Sequence, residues 1–340
     1  MPRLVAGGGA GEELTFIDVD DTVREVHGYA KQAAAYGYTR VRGLNIQVAA
    51  LSTSQSAPVI ARARLRKGNS ASAAGAGRLL AQSVNTARAA GVRGQILCRA
   101  DSAYYGWAFV GTALRHQVGF SVTARMDPKV KIKAAIASIE EKAWKPIAYP
   151  NAVYDQAEQR WISDAEVAEV PFVAFTGRRK SEHVPCRLIV RRVKRLQRLE
   201  SDGTAQGELF AVYRHHAFIT NSLLGLVEAD QRHRDHAIVE QVIAELKEGP
   251  LAHLPSGKYA ANAAWVALAV IAFNIARAAA VAADLAKSRW SSLRRKIIKI
   301  PGRIATTGRR LILHLPTDWP WEEGWQKLHA LATGPPAAAP

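Results

Sequence analysis

Acids are missing from long stretches of this 340-residue chain. From Val26 to Ala100 there is neither Asp nor Glu, while eleven Lys or Arg lie between Lys31 and Arg99; from Lys287 to Arg310 nine more stand without an acid. Such stretches exclude a surface built to repel polyanions. Cysteine is scarce as well: Cys98 and Cys186 are too few for a disulfide framework and lack metal-ligand spacing, so they read as two ordinary buried thiols in a reducing compartment. The opening MPRLVAGGGAGEEL has no apolar run of the signal-peptide kind, which points to a cytoplasmic, nucleoid-associated protein. The one long apolar segment, Tyr259 to Ala286, is rich in Ala and interrupted by Asn262, Asn274, Arg277 and Asp284. It reads as a buried helix, with no membrane as partner. No repeat of solenoid period occurs.

What is present is globular and strongly basic. A hydrophobic fraction of 48% with 22% charged residues supports a sizeable core. The net charge of +17 makes nucleic acid the leading partner.

Periodicity organises the chain as α/β. Thr15-Phe-Ile-Asp-Val-Asp20 alternates as a strand that puts Phe16, Asp18 and Asp20 on one face; Leu44–Leu51 and Val59–Leu65 complete an antiparallel meander. In the last of these, Ile60, Arg62, Arg64 and Arg66 fall on one face. A helix over Ser72–Ala90, a strand over Gln95–Arg99 that ends at Asp101, a helix over Gly106–Gln117 and a strand over Val118–Ala124 follow. Residues 125–221 carry strand-like runs between polar turns and read as an inserted, mostly β subdomain. Helices return at Asp230–Glu248 and Tyr259–Ala286. The expected division is a flexible 1–13, a core of 14–124 and 222–286 around the insertion, a basic extension 287–333 and a disordered tail 334–340.

Three acids stand out by position. Asp20 ends the first strand, Asp101 ends the fourth, and Glu240 sits in HRDHAIVEQVIAELKEG. On one continuous helix His233, His236, Glu240 and Lys247 share a stripe, whereas Glu245 points elsewhere. Three carboxylates converging beside one sheet suit Mg²⁺, which takes oxygen ligands and lets substrate phosphate complete its shell. Two alternatives stay open: a solvated helix face with i, i+4 pairs, and a zinc hydrolase using His233, His236 and Glu240.

The order FIDVDDT, VHGYAKQ, YGYTRVRGLN, CRADSAYYG and RHRDHAIVEQVIAELKEG, followed by NAAWVALAVIAFNIAR, resembles bacterial insertion-sequence transposases of the DDE class, and more narrowly the thirteen-eighty group, over roughly residues 14–325. The resemblance implies an RNase-H-like mixed sheet flanked by helices, with a β-rich insertion before the Glu-bearing helix. It implies that Asp20, with Asp18 as runner-up, Asp101 and Glu240 are catalytic and hold two Mg²⁺ or Mn²⁺ ions. The partners it implies are insertion-sequence ends and target DNA, with the protein acting as a homodimer on DNA. Lys247, His236 and His233 become phosphate contacts, along with Arg191, Arg192, Lys194 and Arg195 on the insertion and Arg294, Arg295 and Lys296 in the C-terminal extension. Trp144 and Trp161 are candidates for cradling a flipped base, or else core of the insertion.

Two departures accompany the resemblance. Family members usually show Tyr-x2-Arg-x3-Glu-x6-Lys on the last helix; here His233 and His236 replace the Tyr and Arg, and imidazole lacks the guanidinium fork. Only about fourteen residues precede the first strand, where relatives carry on the order of a hundred that read the transposon ends. The sequence is thus also compatible with a truncated or decayed copy that only binds DNA.

Overall fold

A β-branched run beginning at Thr15 sets the frame. The computed structural model describes residues 14–55, 57–127, 130–148, 154–155, 160–161, 165–194 and 213–334; the expected flexible start 1–13 and all but the first residue of the 334–340 tail lie outside them. In chain order the strands and helices are β1 (Thr15–Glu25), β2 (Ala35–Tyr36), β3 (Arg42–Ser52), β4 (Val59–Arg66), α1 (Ala76–Ala89), β5 (Ile96–Ala100), α2 (Trp107–Arg115), β6 (Gly119–Thr123), α3 (Ile132–Ala137), β7 (Lys145–Ile147), β8 (Tyr154–Asp155), β9 (Arg160–Trp161), β10 (Ala165–Ala174), β11 (Val184–Lys194), β12 (Tyr213–Thr220), α4 (Leu226–Arg234), α5 (Ile238–Glu248), α6 (Tyr259–Ala282), α7 (Trp290–Leu293), β13 (Arg303–Thr307), β14 (Arg310–His314) and α8 (Glu322–Thr333). The chain divides into two units, one of residues 1–74, 82–96 and 238–340, the other of residues 75–81 and 97–237.

The first unit contains the meander. β1 pairs antiparallel with β3 from Phe16↔Ser52 to Glu25↔Gly43, and β3 pairs with β4 on its other edge. Directly paired residues share a face, so Asp18 (opposite Ala50) and Asp20 (opposite Val48) lie on the same side as Leu44, Ile46, Val48 and Ala50. That side is the core, closed by Val239, Val242, Ile243 and Leu246 of α5 and Val266, Ala269 and Phe273 of α6. Asp21, opposite Gln47, faces the other way.

The register of β4 differs from simple alternation. A bulge at Ala61, between Ile60↔Ala50 and Arg62↔Ala49, turns Ile60 into the core while Arg62, Arg64 and Arg66 stay on the opposite face. Gly68 is required nearby, because a Cβ there would stand 2.0 Å from the carbonyl oxygen of Gly43.

α6 is, among the described residues, the one helix long and apolar enough to cross a membrane. Its polar interruptions have structural partners: Asn274 accepts from the N–H of Ile60 and donates to its carbonyl, both at 2.9 Å, sealing the open edge of β4. Leu268, Ile271 and Ile275 on its other side are exposed.

The second unit is a mixed sheet flanked by helices. β5 runs parallel to β6, and β6, β12, β11, β10 and β7 follow antiparallel. α2 packs on β6, and α4 covers β10 and β11. Phe218, Ile189, Val167, Ile147 and Ala229 form the core beneath α4. Within the stretch read as a β-rich insertion, β12 is hydrogen-bonded onto β6, through Phe218↔Thr123 and Thr220↔Ser121, so that β10 to β12 continue the sheet of β6.

The expected helix Asp230–Glu248 is broken. α4 ends at Arg234, a 3₁₀ turn spans Asp235–Ala237, and α5 begins at Ile238. A single stripe of His233, His236, Glu240 and Lys247 does not exist on one helix; the two histidines belong to the second unit, Glu240 and Lys247 to the first.

Candidate active site

In the first unit β1 sorts three acids into three environments. Asp18 is fully buried. Asp21 is held on the far face by Arg66, with N–H···O at 2.9 Å, and by the side-chain amide of Asn45. Asp20 is half-buried on the α5 side, and its Oδ1 accepts the N–H of Asp21 at 2.7 Å. Glu240 is exposed in the first turn of α5. Lys247 follows two turns later on the same face, about 10 Å along the axis. Burial, then the nearby Arg24 charge, pull the Lys247 ammonium below its usual pKa, while the Asp20 carboxylate opposes them. The Asp20 carboxylate thus lies near enough to Lys247 to offset part of that lowering.

In the second unit Asp101 caps the end of β5, a parallel strand, whose carboxyl end is the usual place for ligands in such sheets. Its carboxylate accepts the N–H of Ala103 at 3.0 Å, and Arg125 braces the same turn through the carbonyls of Ser102 (2.8 Å) and Ala103 (3.1 Å). Arg99, almost wholly buried, donates to the carbonyl of Arg232 in the last turn of α4. A cation there complements the negative end of the helix.

His233 departs from its expected role. Its Nδ1 lies 2.8 Å from Ser121 Oγ and its Nε2 3.0 Å from Thr123 Oγ1, and the ring stacks on Phe218 with centroids 4.0 Å apart. Both nitrogens are engaged by protein hydroxyls. Burial, then the charges of His236, Arg99 and Arg191, hold it well below the ordinary histidine pKa, so it is neutral. It is a packed connector between β6, β12 and α4.

Arg192 is likewise used within the fold. It pairs with Glu166 at 2.7 Å and with Glu141, and its guanidinium sits 4.3 Å from the ring centre of Trp144 and 4.5 Å from that of Tyr213. Trp144, half-buried, is thereby a stacking partner of Arg192. Arg191 lies 4.0 Å from the buried Asp230, which also pairs with Arg234 at 2.9 Å. The side chains of Lys194 and Trp161 and all of Arg195 lie outside the described residues. Arg294, Arg295 and Lys296 fall in a π turn after α7, with Lys296 5.0 Å from the ring centre of Trp321.

Sequence reasoning missed Arg66, Asn45, Glu245 and Arg277. Glu245 is a buried partner of Arg277 at 2.7 Å and of the backbone N–H of Trp290 at 3.0 Å. Its signal was its place among the apolar positions of α5.

Among the described residues no three His, Cys, Asp or Glu side chains are gathered as a metal site, neither His233, His236 and Glu240 nor Asp20, Asp101 and Glu240. Asp20, Asp101 and Glu240 fit a hard divalent cation by donor chemistry, being oxygen ligands.

One comparison decides the family. The transposase DDE domain group 1 family matches residues 10–333, nearly the whole chain. The chain belongs to that family. No curated protein matches it. Membership in a DDE transposase family implies a nucleic-acid-cleaving enzyme with DNA as substrate, and the mixed sheet flanked by helices is consistent with a DDE nuclease fold.

Proposed function

We propose that the chain is the catalytic core of an insertion-sequence transposase, RNase-H-like in its central sheet, that cleaves DNA at the element ends and joins them to target DNA. The observation that carries the reading is Asp20: within a DDE family match, it is the half-buried acid of β1 on the face covered by α5, the helix that carries Glu240 and Lys247.

Asp20, Asp101 and Glu240 would hold Mg²⁺ or Mn²⁺. Bound there, the ions supply Lewis-acid activation of water and neutralise charge on the phosphate. Lys247 holds a phosphate oxygen beside Asp20, and the turn braced by Arg125 fixes Asp101 at the strand end. Water adds to the scissile phosphorus and the P–O3′ bond breaks, giving a free 3′-OH; that hydroxyl attacks a target phosphodiester and expels its 3′ oxygen.

A second reading, a copy that binds DNA without cutting it, is favoured by His233, whose nitrogens are spent on Ser121 and Thr123. Nicking of supercoiled plasmid with Mg²⁺ or Mn²⁺ separates the two. The transposase reading expects nicking by the wild type and none by Asp20→Asn, Asp101→Asn or Glu240→Gln, with salt-sensitive DNA binding retained in all three. Metal-dependent nicking by Asp101→Ala would sink it.

A further inference from the structure

Among the described residues, the C-terminal hairpin of β13 and β14 pairs with no other strand and forms a two-stranded sheet of its own. Nine of its ten strand residues are exposed and the tenth is half-buried. A lone two-stranded ribbon is marginal in water without a surface to lie on.

Its register sorts the side chains. The pairs are Arg303↔His314, Ile304↔Leu313, Ala305↔Ile312, Thr306↔Leu311 and Thr307↔Arg310. One face therefore presents Arg303, Arg310 and His314 around a small apolar centre of Ala305 and Ile312, and the other presents Ile304, Leu311 and Leu313. The ribbon turns through a two-residue loop whose Gly308, at φ +59°, supplies the left-handed conformation such loops need. Arg309 stands exposed at the tip. From Leu285 to Thr317 the chain holds no acid.

We infer that this hairpin is a DNA-binding ribbon that lays its Arg303–Arg310–His314 face into the major groove of a duplex. Charge complementarity selects the partner: cations lie at both ends and the tip, and no carboxylate opposes phosphate. The shape agrees, since each strand spans about 16 Å and a major groove about 12 Å wide admits a two-stranded β-ribbon. Arginines at the ends reach the phosphates lining the groove, and Ala305 and Ile312 at the centre suit contact with thymine methyls. The inference rests on DNA being the substrate, yet concerns a surface outside the proposed carboxylate site.

The test measures binding of a 30-base-pair duplex against salt concentration for the wild type, Arg303→Gln/Arg310→Gln, and a control removing two exposed charges elsewhere, Lys142→Gln/Lys145→Gln. The hairpin variant is expected to flatten the slope of log K on log salt by about two units, near 0.9 for each phosphate no longer neutralised, and to abolish protection of guanine N7 from methylation. Thermal stability should stay unchanged, and the control should leave both slope and protection intact. An unchanged slope overturns the inference, as does an equal flattening in the control, which would mean a diffuse field. So does dissociation of a dimer by Leu311→Ser/Leu313→Ser with DNA binding intact, which would make the ribbon an interface between copies. Plasmid nicking in parallel keeps the readings apart: a wild type that binds through the ribbon and never nicks defeats only the catalytic proposal, and one that nicks with unchanged slope defeats only the ribbon.

Discussion

Arg66 and Asp21 meet at 2.9 Å on the side of β1 that faces away from Asp20, with side-chain exposures of 5% and 10%. Arg66 also donates to Asn45 Oδ1 and to the carbonyls of Ala71, Ser72 and Ala74, so one guanidinium fixes β1, β3 and the approach to α1. Adjacent acids on one strand thereby divide their work: Asp21 anchors, and its N–H holds Oδ1 of Asp20.

Removing Arg66 takes away the cation paired with the largely enclosed Asp21. Breaking a buried pair from one side costs about 3–5 kcal/mol, so Arg66→Met should lower the urea midpoint of unfolding strongly. Asp20→Asn should move it little while removing metal-dependent nicking. Equal destabilisation by the two substitutions would show that Asp20 is structural too.

The two glutamates of α5 make a second contrast. Glu245 is 5% exposed and bonded to Arg277, whereas Glu240 is exposed. Glu245→Ala should cost about 3–5 kcal/mol by stranding Arg277; Glu240→Ala should stay within about 0.5 kcal/mol, as surface changes do. Denaturant melts of both variants check this, and a large destabilisation by Glu240→Ala would mean it has a structural partner in solution.

Much of this was legible in the sequence, and the failures have particular causes. β1, β3, β5 and β6 show themselves by alternation or compact β-branched runs, and the split of Asp18 and Asp20 from Asp21 follows from a period of two. The bulge at Ala61 left no mark because Ile60, Arg62 and Arg64 still alternate with alanines. Helical periodicity also runs through the 3₁₀ turn Asp235–Ala237 unbroken, so α4 and α5 read as one helix. The arginine two residues before Asp101 had no local explanation, since its partner is a carbonyl 133 residues away. A charge run cannot separate Arg192, enclosed by Glu141, Glu166, Trp144 and Tyr213, from a cation offered to DNA.

The imidazole of His233, engaged at both nitrogens, sets a pH dependence. An unfolded histidine takes up a proton near pH 6.5, but His233 is held neutral to well below that by burial and by neighbouring cations. The unfolded chain then binds more protons as pH falls, so the stabilisation His233 gives is complete above about pH 6.5 and fades below it. His215 and His216 are lowered too, by burial and then by Arg192 and Arg191 respectively, and act in the same direction. Melting temperature should fall from pH 7.5 to 5.5, and less steeply in His233→Gln, whose amide can still meet Ser121 and Thr123. A slope unchanged by that substitution would assign the effect to the other two.

Arg192 offers the sharpest test of fold against DNA contact on the β-rich strands. Its guanidinium is stacked between Trp144 and Tyr213 and bonded to two carboxylates, which leaves it no fork for a phosphate. Lysine keeps the charge but has neither the plane that stacks on aromatics nor the geometry to serve Glu141 and Glu166 together. Arg192→Lys should therefore destabilise the sheet by about 1.5–3 kcal/mol, the range for hydrogen bonds to charged groups, and shift the tryptophan fluorescence to which Trp144 contributes. The salt slope of DNA binding, measured well below the melting temperature, should stay at its wild-type value. A stable Arg192→Lys protein whose slope is one unit shallower would return Arg192 to the set of phosphate-binding residues.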